Sequence, residues 1–334
     1  MKKLAYSLLP LGITFGLCLN IAPASAGFIV REVIPDAALS IDGFGSTTNS
    51  GLIQANIPTG STIQRAYLYA ASVWDKSPVY DVIFHGTTLP VSSATILSPN
   101  SNPATTARWD VTSIIASSFT GGLQNFNIVE NGDNDGEVLV VAYSNPSTQG
   151  FTSVILDGEL STTGDTVQFN FASPYTGGDF LVSLASSFSR QPSGQFTQID
   201  VTTNSTNNRR LTTSAGGQDD GEGADGALIT VGGIDDDPTN PGPFDSPLLG
   251  PRIDDEYYNL ALGNSDNTAP FISPGDKYLR LTTQNPTGDD NVFGLFITSG
   301  FKITATPVPE PSMTLGIFGI GAIGILLSRR GKKS

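Results

Sequence analysis

Short apolar segments of strand length, broken by polar turn residues, recur through the middle of the chain. Segments rich in β-branched and aromatic residues recur at 62–73, 80–85, 126–129, 138–143, 152–156, 166–171, 180–187, 196–202, 227–231, 278–282 and 292–304, with Gly, Pro, Asn and Asp between them. Along 62–73, Ile63, Arg65, Tyr67 and Tyr69 share one parity, while Ala66, Leu68 and Ala70 share the other. Apolar side chains on both parities predict a strand covered on both faces, as in a sandwich interior. Asp157-Gly158, directly after Val154-Ile155-Leu156, predicts a hairpin turn. Helical spacing is scarce. The best candidate is 109–119, with Asp110 as N-cap before Val111, Ile114, Ile115 and Phe119; 254–262 is a shorter one. Many short strands and few helices predict an all-β fold, an antiparallel β-sandwich or jelly-roll-like body with one or two short helices. That body spans 27–304. Its best internal break is 145–150, although Ser144-Asn145-Pro146 reads equally as a loop. No repeat of propeller or solenoid length is present.

Both ends follow different patterns. Residues 1–26 read as a secretory signal peptide: Lys2 and Lys3 precede an apolar run from Leu4 to Ile21, and Ala24-Ser25-Ala26 is a small-x-small cleavage site. An N-terminal membrane anchor is the alternative. Cys18, the single cysteine, follows Leu17, which is too bulky for a lipobox, so it leaves with the signal. One cysteine excludes a disulfide framework and a Cys-ligated zinc site.

At the other end a linker, 305–311, contains Pro309-Glu310-Pro311. The segment 312–334 holds an apolar stretch from Met313 to Leu327 and then a basic cluster of Arg329, Arg330, Lys332 and Lys333. As a helix rising ~1.5 Å per residue, the stretch covers ~22 Å of a ~30 Å hydrocarbon core, short enough to need snorkelling or bilayer thinning. The basic cluster holds its end in the cytoplasm. The arrangement is a stop-transfer that presents Pro309-Glu310-Pro311 at the outer face of the membrane.

This tripartite tail, Val308 through Lys333, resembles the PEP-CTERM sorting signal of exported Gram-negative proteins. Pro309, Glu310 and Pro311 fall on the recognition motif. The resemblance implies exosortase, a membrane protease, as a partner. It also implies cleavage near the motif, transient residence in the inner membrane through the C-terminal transmembrane helix, and a final place at the cell surface or outside it, often alongside exopolysaccharide. A permanent single-span anchor is the competing reading. A GPI tail does not end in a basic cluster, and no LPxTG-type sortase motif is present. In the body, the strings 133–146, 209–221 and 227–238 resemble other PEP-CTERM proteins, a likeness that carries no activity.

Charge narrows the chemistry. The formal net charge is −14, and the body between the two ends holds 11 Lys+Arg against 30 Asp+Glu. Such a chain has no basic face for phosphates, which excludes nucleic acid as a partner. Asn131-Gly132-Asp133-Asn134-Asp135-Gly136 matches the first half of a calcium loop, with Asn131, Asp133 and Asp135 as alternate oxygen ligands. The twelfth position is Ala142, so calcium there needs a carboxylate from elsewhere; the alternative is a turn held by Asx-type hydrogen bonds. A second acidic stretch includes Asp219, Asp220, Glu222, Asp225, Asp235 and Asp237. Its mutual repulsion is relieved either by calcium or by full solvation. Arg209-Arg210, the one basic pair of the body, is expected to neutralise the acids at 219–225 or to meet an acidic polysaccharide.

His85, the single histidine, follows an apolar strand with no Gly-x-Ser-x-Gly elbow in the chain, so a strand-end role is expected of it rather than a triad. Trp74, Trp109, Tyr67 and Tyr69 are expected in the core, or else as a platform for sugar rings. These features predict a non-catalytic surface or matrix protein, with calcium as its candidate stabiliser. The alternatives are a carbohydrate-binding module for exopolysaccharide and a secreted polysaccharide hydrolase, which needs two carboxylates roughly 5–10 Å apart in a cleft.

Overall fold

The computed structural model describes residues 27–46, 48–72, 78–97, 105–158, 164–187, 197–215, 221–222, 229–238, 256–263, 268–284 and 291–307. The signal-peptide residues Ala24 and Ala26, the Pro309-Glu310-Pro311 motif and the basic residues Arg329, Arg330, Lys332 and Lys333 lie outside them. So do Trp74, Asp219, Asp220 and Asp225.

In chain order the strands are β1 (Ile29–Pro35), β2 (Ala38–Ser46), β3 (Ser50–Ile57), β4 (Thr62–Ser72), β5 (Val82–Phe84), β6 (Thr87–Leu89), β7 (Thr95–Ile96) and β8 (Thr106–Asp110). After helix α1 (Thr112–Ser118) come β9 (Gly122–Glu130), β10 (Asn134–Ser144), β11 (Thr152–Asp157), β12 (Thr166–Phe171), β13 (Phe180–Ser187), β14 (Thr197–Thr203) and β15 (Arg209–Ala215). The last are β16 (Gly221–Glu222), β17 (Ile229–Val231), β18 (Tyr257–Asn259), β19 (Tyr278–Gln284), β20 (Asn291–Ser299) and β21 (Ile303–Pro307).

These strands form four sheets. The first outer sheet has the order β3-β9-β5-β6, and the first inner sheet β16-β2-β10-β4-β8-β7. The second inner sheet runs β1-β11-β20-β13-β17, with β18 also on β13, and the second outer sheet runs β15-β14-β19-β12-β21. Every pairing among the described strands is antiparallel except β16 with β2.

Side-chain alternation sets the layering. Ile53, Phe84, Phe126 and Ile128 of the first outer sheet pack against Leu68, Trp109, Leu139 and Val141 of the first inner sheet. Phe169, Val201 and Leu281 of the second outer sheet pack against Leu156, Val182 and Leu295 of the second inner sheet. A third core lies between the two inner sheets, where Tyr67, Tyr69, Val138 and Val140 meet Ile155, Ile229, Phe293 and Phe296. The molecule is thus two sandwiches stacked face to face. The two parities of β4 enter two different cores, as its apolar pattern predicted. The stretch 145–150, with a short 3₁₀ turn at Pro146–Thr148, links β10 of one sandwich to β11 of the other.

Three local expectations are corrected. Trp109 is in a strand, not a helix: β8 runs to Asp110, with Trp109 opposite Leu68, because the ring belongs to the first core. The helix begins at Thr112, and Asp110 Oδ1 still accepts the Thr112 N–H at 2.9 Å. Tyr257–Asn259, expected as helix, is β18, drawn into pairing with Leu181, Val182 and Ser183. Asp157-Gly158 does not turn a hairpin between neighbours: β11 pairs with β1 and β20, and β12 belongs to another sheet. Its carboxylate is held between Arg31 and Arg108 instead.

Candidate functional site

The residues singled out for calcium are dispersed. Asn131 and Asp133 are exposed in the link between β9 and β10, whereas Asp135 is 2% exposed. Asp235 and Asp237 are exposed in the turn after β17, with Asp235 at φ +74°. Glu222 lies on β16, whose backbone runs beside Gly45 and Ser46 of β2. Among the described residues no group of three or more His, Cys, Asp or Glu side chains stands as a ready-made metal cage.

A different acidic group does form, from two residues outside the loop pattern. Inward alternation along β9 places Phe126, Ile128 and Glu130 toward the first core, and alternation along β10 does the same for Glu137, Leu139 and Val141. A register shift between Asn134 and Gly136 frees Asp135 from the ladder with β4. Glu130, Asp135 and Glu137 are therefore buried together, at 6%, 2% and 0% exposure. The Glu130 and Glu137 carboxyls lie within hydrogen-bond reach of each other. Asn134 braces the group, taking the Tyr80 N–H on Oδ1 at 2.9 Å and turning Nδ2 toward Glu137 Oε1 at 3.4 Å. The Tyr80 ring covers Gly132, where a Cβ would come within 2.2 Å of it.

Glu130 Oε1, Asp135 Oδ2 and Glu137 Oε2 are buried and have no hydrogen-bond partner among the described residues. Burial pushes the Glu130 carboxyl up to about 8. Burial, reinforced by the negative charge of Glu130, holds Asp135 and Glu137 well above the ordinary carboxylate range. The sequence signal for Glu130 and Glu137 was their parity within the alternation, which aims both at the core.

The other candidates fall elsewhere. His85 is exposed in the two-residue turn between β5 and β6, at φ +47° beside Gly86 at φ +81°. Its ring rests on Phe126 with centroids 5.2 Å apart. Tyr67, Tyr69 and Trp109 are core residues, at 6%, 0% and 3% exposure. Arg210 pairs with Asp200 on the neighbouring strand at 2.6 Å, and Arg209 lies over the Phe271 ring and donates to the Ala269 and Pro270 carbonyls.

A groove of about 320 Å³ opens between the two sandwiches, lined by Leu39, Asn56, Leu123, Asp235, Tyr257 and Thr298 among others. Asp235 is the one carboxylate among its described lining residues. No helix among the described residues is long and apolar enough to cross a membrane.

Comparison with known proteins adds one finding, in the tail. Residues 307–330 match the family model described as the PEP-CTERM protein-sorting motif. No curated protein and no solved structure matches the chain. The motif supports export, transient anchoring in a membrane and processing by exosortase, a membrane protease. The chain is a carrier of the PEP-CTERM protein-sorting motif, attached to a β-rich body.

Proposed function

We propose that this chain is a non-catalytic structural protein of the cell surface or extracellular matrix, delivered as a prefolded stack of two sandwiches by its sorting tail. The observation that carries this reading is the place of its aromatic residues. Tyr69 packs against Phe293 and Phe296 across the inner sheets, with centroids 5.8 and 5.7 Å apart, and Trp109 fills the first core. Aromatic area is spent on holding layers together, where each ring contributes most to stability. A sugar platform needs those faces in solvent. Secretion through the signal at 1–26 and cleavage near Pro309-Glu310-Pro311 would leave the body outside the inner membrane.

The test is to express the full chain in a host that contains exosortase and to measure the mass and location of the product. The expected result is a surface or extracellular protein that begins at Gly27 and has lost the tail, together with accumulation of the uncut form when Glu310 is replaced by Ala. An intact chain in the cytosol overturns the reading. Release of new reducing ends from the host's exopolysaccharide by the purified protein would replace the structural role with a hydrolase.

A further inference from the structure

We propose that Glu130, Asp135 and Glu137 form a binding site for one divalent cation, calcium, at the end of the first sandwich where β9 passes into β10. Three carboxylate oxygens are buried there without a hydrogen-bond donor. None of the ion pairs among the described residues involves these groups. Glu130 accepts the Asn134 backbone N–H and Glu137 the Asn134 Nδ2, but the second oxygen of each, and Oδ2 of Asp135, is left over, and a buried oxygen left without a donor is costly.

Two occupants can relieve this: protons or a cation. One shared proton serves the touching Glu130 and Glu137 carboxyls and leaves Asp135 as it was. A single cation answers all three oxygens at once. Asp135 is the second, separate pointer: its side chain is 2% exposed, its Oδ2 has no partner, and its principal electrostatic neighbour is Glu130.

The donor set is all oxygen, which selects a hard cation. Calcium accepts irregular shells of six to eight oxygens with waters filling the remainder, whereas magnesium demands a near-ideal octahedron. The three carboxyls do not yet enclose a common point, so binding requires Asp135 to swing inward. Its side chain forms no hydrogen bond that would be broken, and it sits in a break of the ladder beside Gly136, whose φ is +146°. Asn134 already steers Glu137 through Nδ2, the role of an orienting group behind a ligand. The site also supplies what the loop pattern lacked. Of Asn131, Asp133 and Asp135 only the last takes part, and the flanking strands bring the two glutamates.

The experiment uses the mature full-length chain, stripped with chelator, with calcium chloride alone as the probe and magnesium chloride as the comparison. Binding to the native state raises the melting temperature. Titration calorimetry should show a site half-filled at or below about 1 mM calcium, with magnesium much weaker. Glu137→Gln should weaken calcium binding about tenfold or more. It should also raise the melting temperature of the metal-free protein, because an amide supplies a donor to Glu130 without having to bind a proton first. A purely structural role for Glu137 would not link those two effects. If that variant does not fold, Asp135→Asn gives the same reading on calcium. The proposal is overturned by the absence of heat and of any melting shift at about 5 mM calcium, a level above the range for extracellular sites. It is equally overturned if calcium binds Glu137→Gln or Asp135→Asn as tightly as the parent, which would place the ion elsewhere. Neither failure affects the sorting and surface role, which is read from mass and location.

Discussion

Arg108 on β8 and Asp157 on β11 form an ion pair across the interface between the two inner sheets, with their side chains 9% and 1% exposed. Asp157 is shared more widely. Arg31 donates to its Oδ1 from Nε and Nη2 at 3.2 and 3.0 Å, and the Tyr69 hydroxyl donates to Oδ2 at 3.1 Å. One carboxylate thus ties β1, β4 and β8 to β11. Breaking such a group from one side leaves buried charge uncompensated, at a cost of about 3–5 kcal/mol. Asp157→Ala should lose about that much in urea denaturation. Arg108→Met combined with Asp157→Leu should cost clearly less than the sum of the single changes. Strict additivity would show that the pair does not couple the sandwiches.

Asp42 should make stability depend on pH in the acid-to-neutral range. Its Oδ2 accepts the Gln54 N–H at 2.5 Å, and the nearby Ser40 Oγ accepts the Asn56 N–H at 2.8 Å, so β2 side chains hold the free edge of β3. Burial pushes Asp42 from 3.8 up to about 7; the Gln54 and Gly43 amides oppose that rise and the charge of Asp235 adds to it. The folded chain therefore binds this proton more tightly than the unfolded chain. The stabilisation is complete below about pH 4 and is lost as pH climbs to about 7, on the order of 4 kcal/mol in all. Asp42→Asn should flatten that part of the decline, measured as the difference in unfolding free energy between parent and variant across the range. An identical decline in both would remove Asp42 as its source.

Much of this was legible in the pattern, for identifiable reasons. β4, β10, β12 and β13 alternate or run apolar because each presents whole faces to a core, and they were found. β2 and β3 were not. Ser40 and Asp42 interrupt the apolar pattern of β2 in order to hold the β3 edge, and Gly45 and Gly51 sit at close approaches, where a Cβ would meet Ile229 O at 2.3 Å and the Phe44 ring at 2.1 Å. The doubling of the sandwich was hidden because sheet order is set by contacts far apart in the chain, such as β1 with β11 and β11 with β20. In the acidic site, Asp135 was visible through its turn motif, while Glu130 and Glu137 looked like ordinary charges at strand ends. Only the burial of both strands makes them exceptional.

Gly136 should be among the least replaceable positions. It faces Gly45 across the β10–β2 ladder, and together they form a notch for Ile229 of β17. A Cβ at Gly136 would approach Phe44 O to 2.1 Å and Ile229 Cγ2 to 2.6 Å, at a φ of +146°. Gly136→Ala should cost about 3 kcal/mol or more, since both backbone strain and a backbone clash must be relieved. Gly60→Ala is the comparison, because its φ of +80° is unfavourable but nothing lies within 4 Å. It should cost only about 1–2 kcal/mol. Equal losses by chemical denaturation would mean that conformation alone, and not the notch, matters at Gly136.

The third core makes a prediction about cutting the molecule at 145–150. A fragment covering 38–144 retains every strand of the first outer sheet and most of the first inner sheet, so the core around Leu68, Phe126 and Leu139 is intact. It also exposes the opposite face of the inner sheet, where Ile41, Tyr67, Tyr69, Val138 and Val140 are normally covered by Phe293, Phe296 and Ile229. An exposed apolar face of this kind, beyond a few hundred Å², drives association. The fragment should elute as dimers or larger species in size-exclusion chromatography and bind a hydrophobic dye, while the full body does neither. Asp157, the partner of both Arg108 and Tyr69, and Glu32, the partner of Tyr67, would also be missing, so Arg108 is left buried or forced into solvent. A monomeric fragment with the parent's near-ultraviolet circular dichroism would show that each sandwich is self-sufficient and that the inner interface serves only to hold two finished units together.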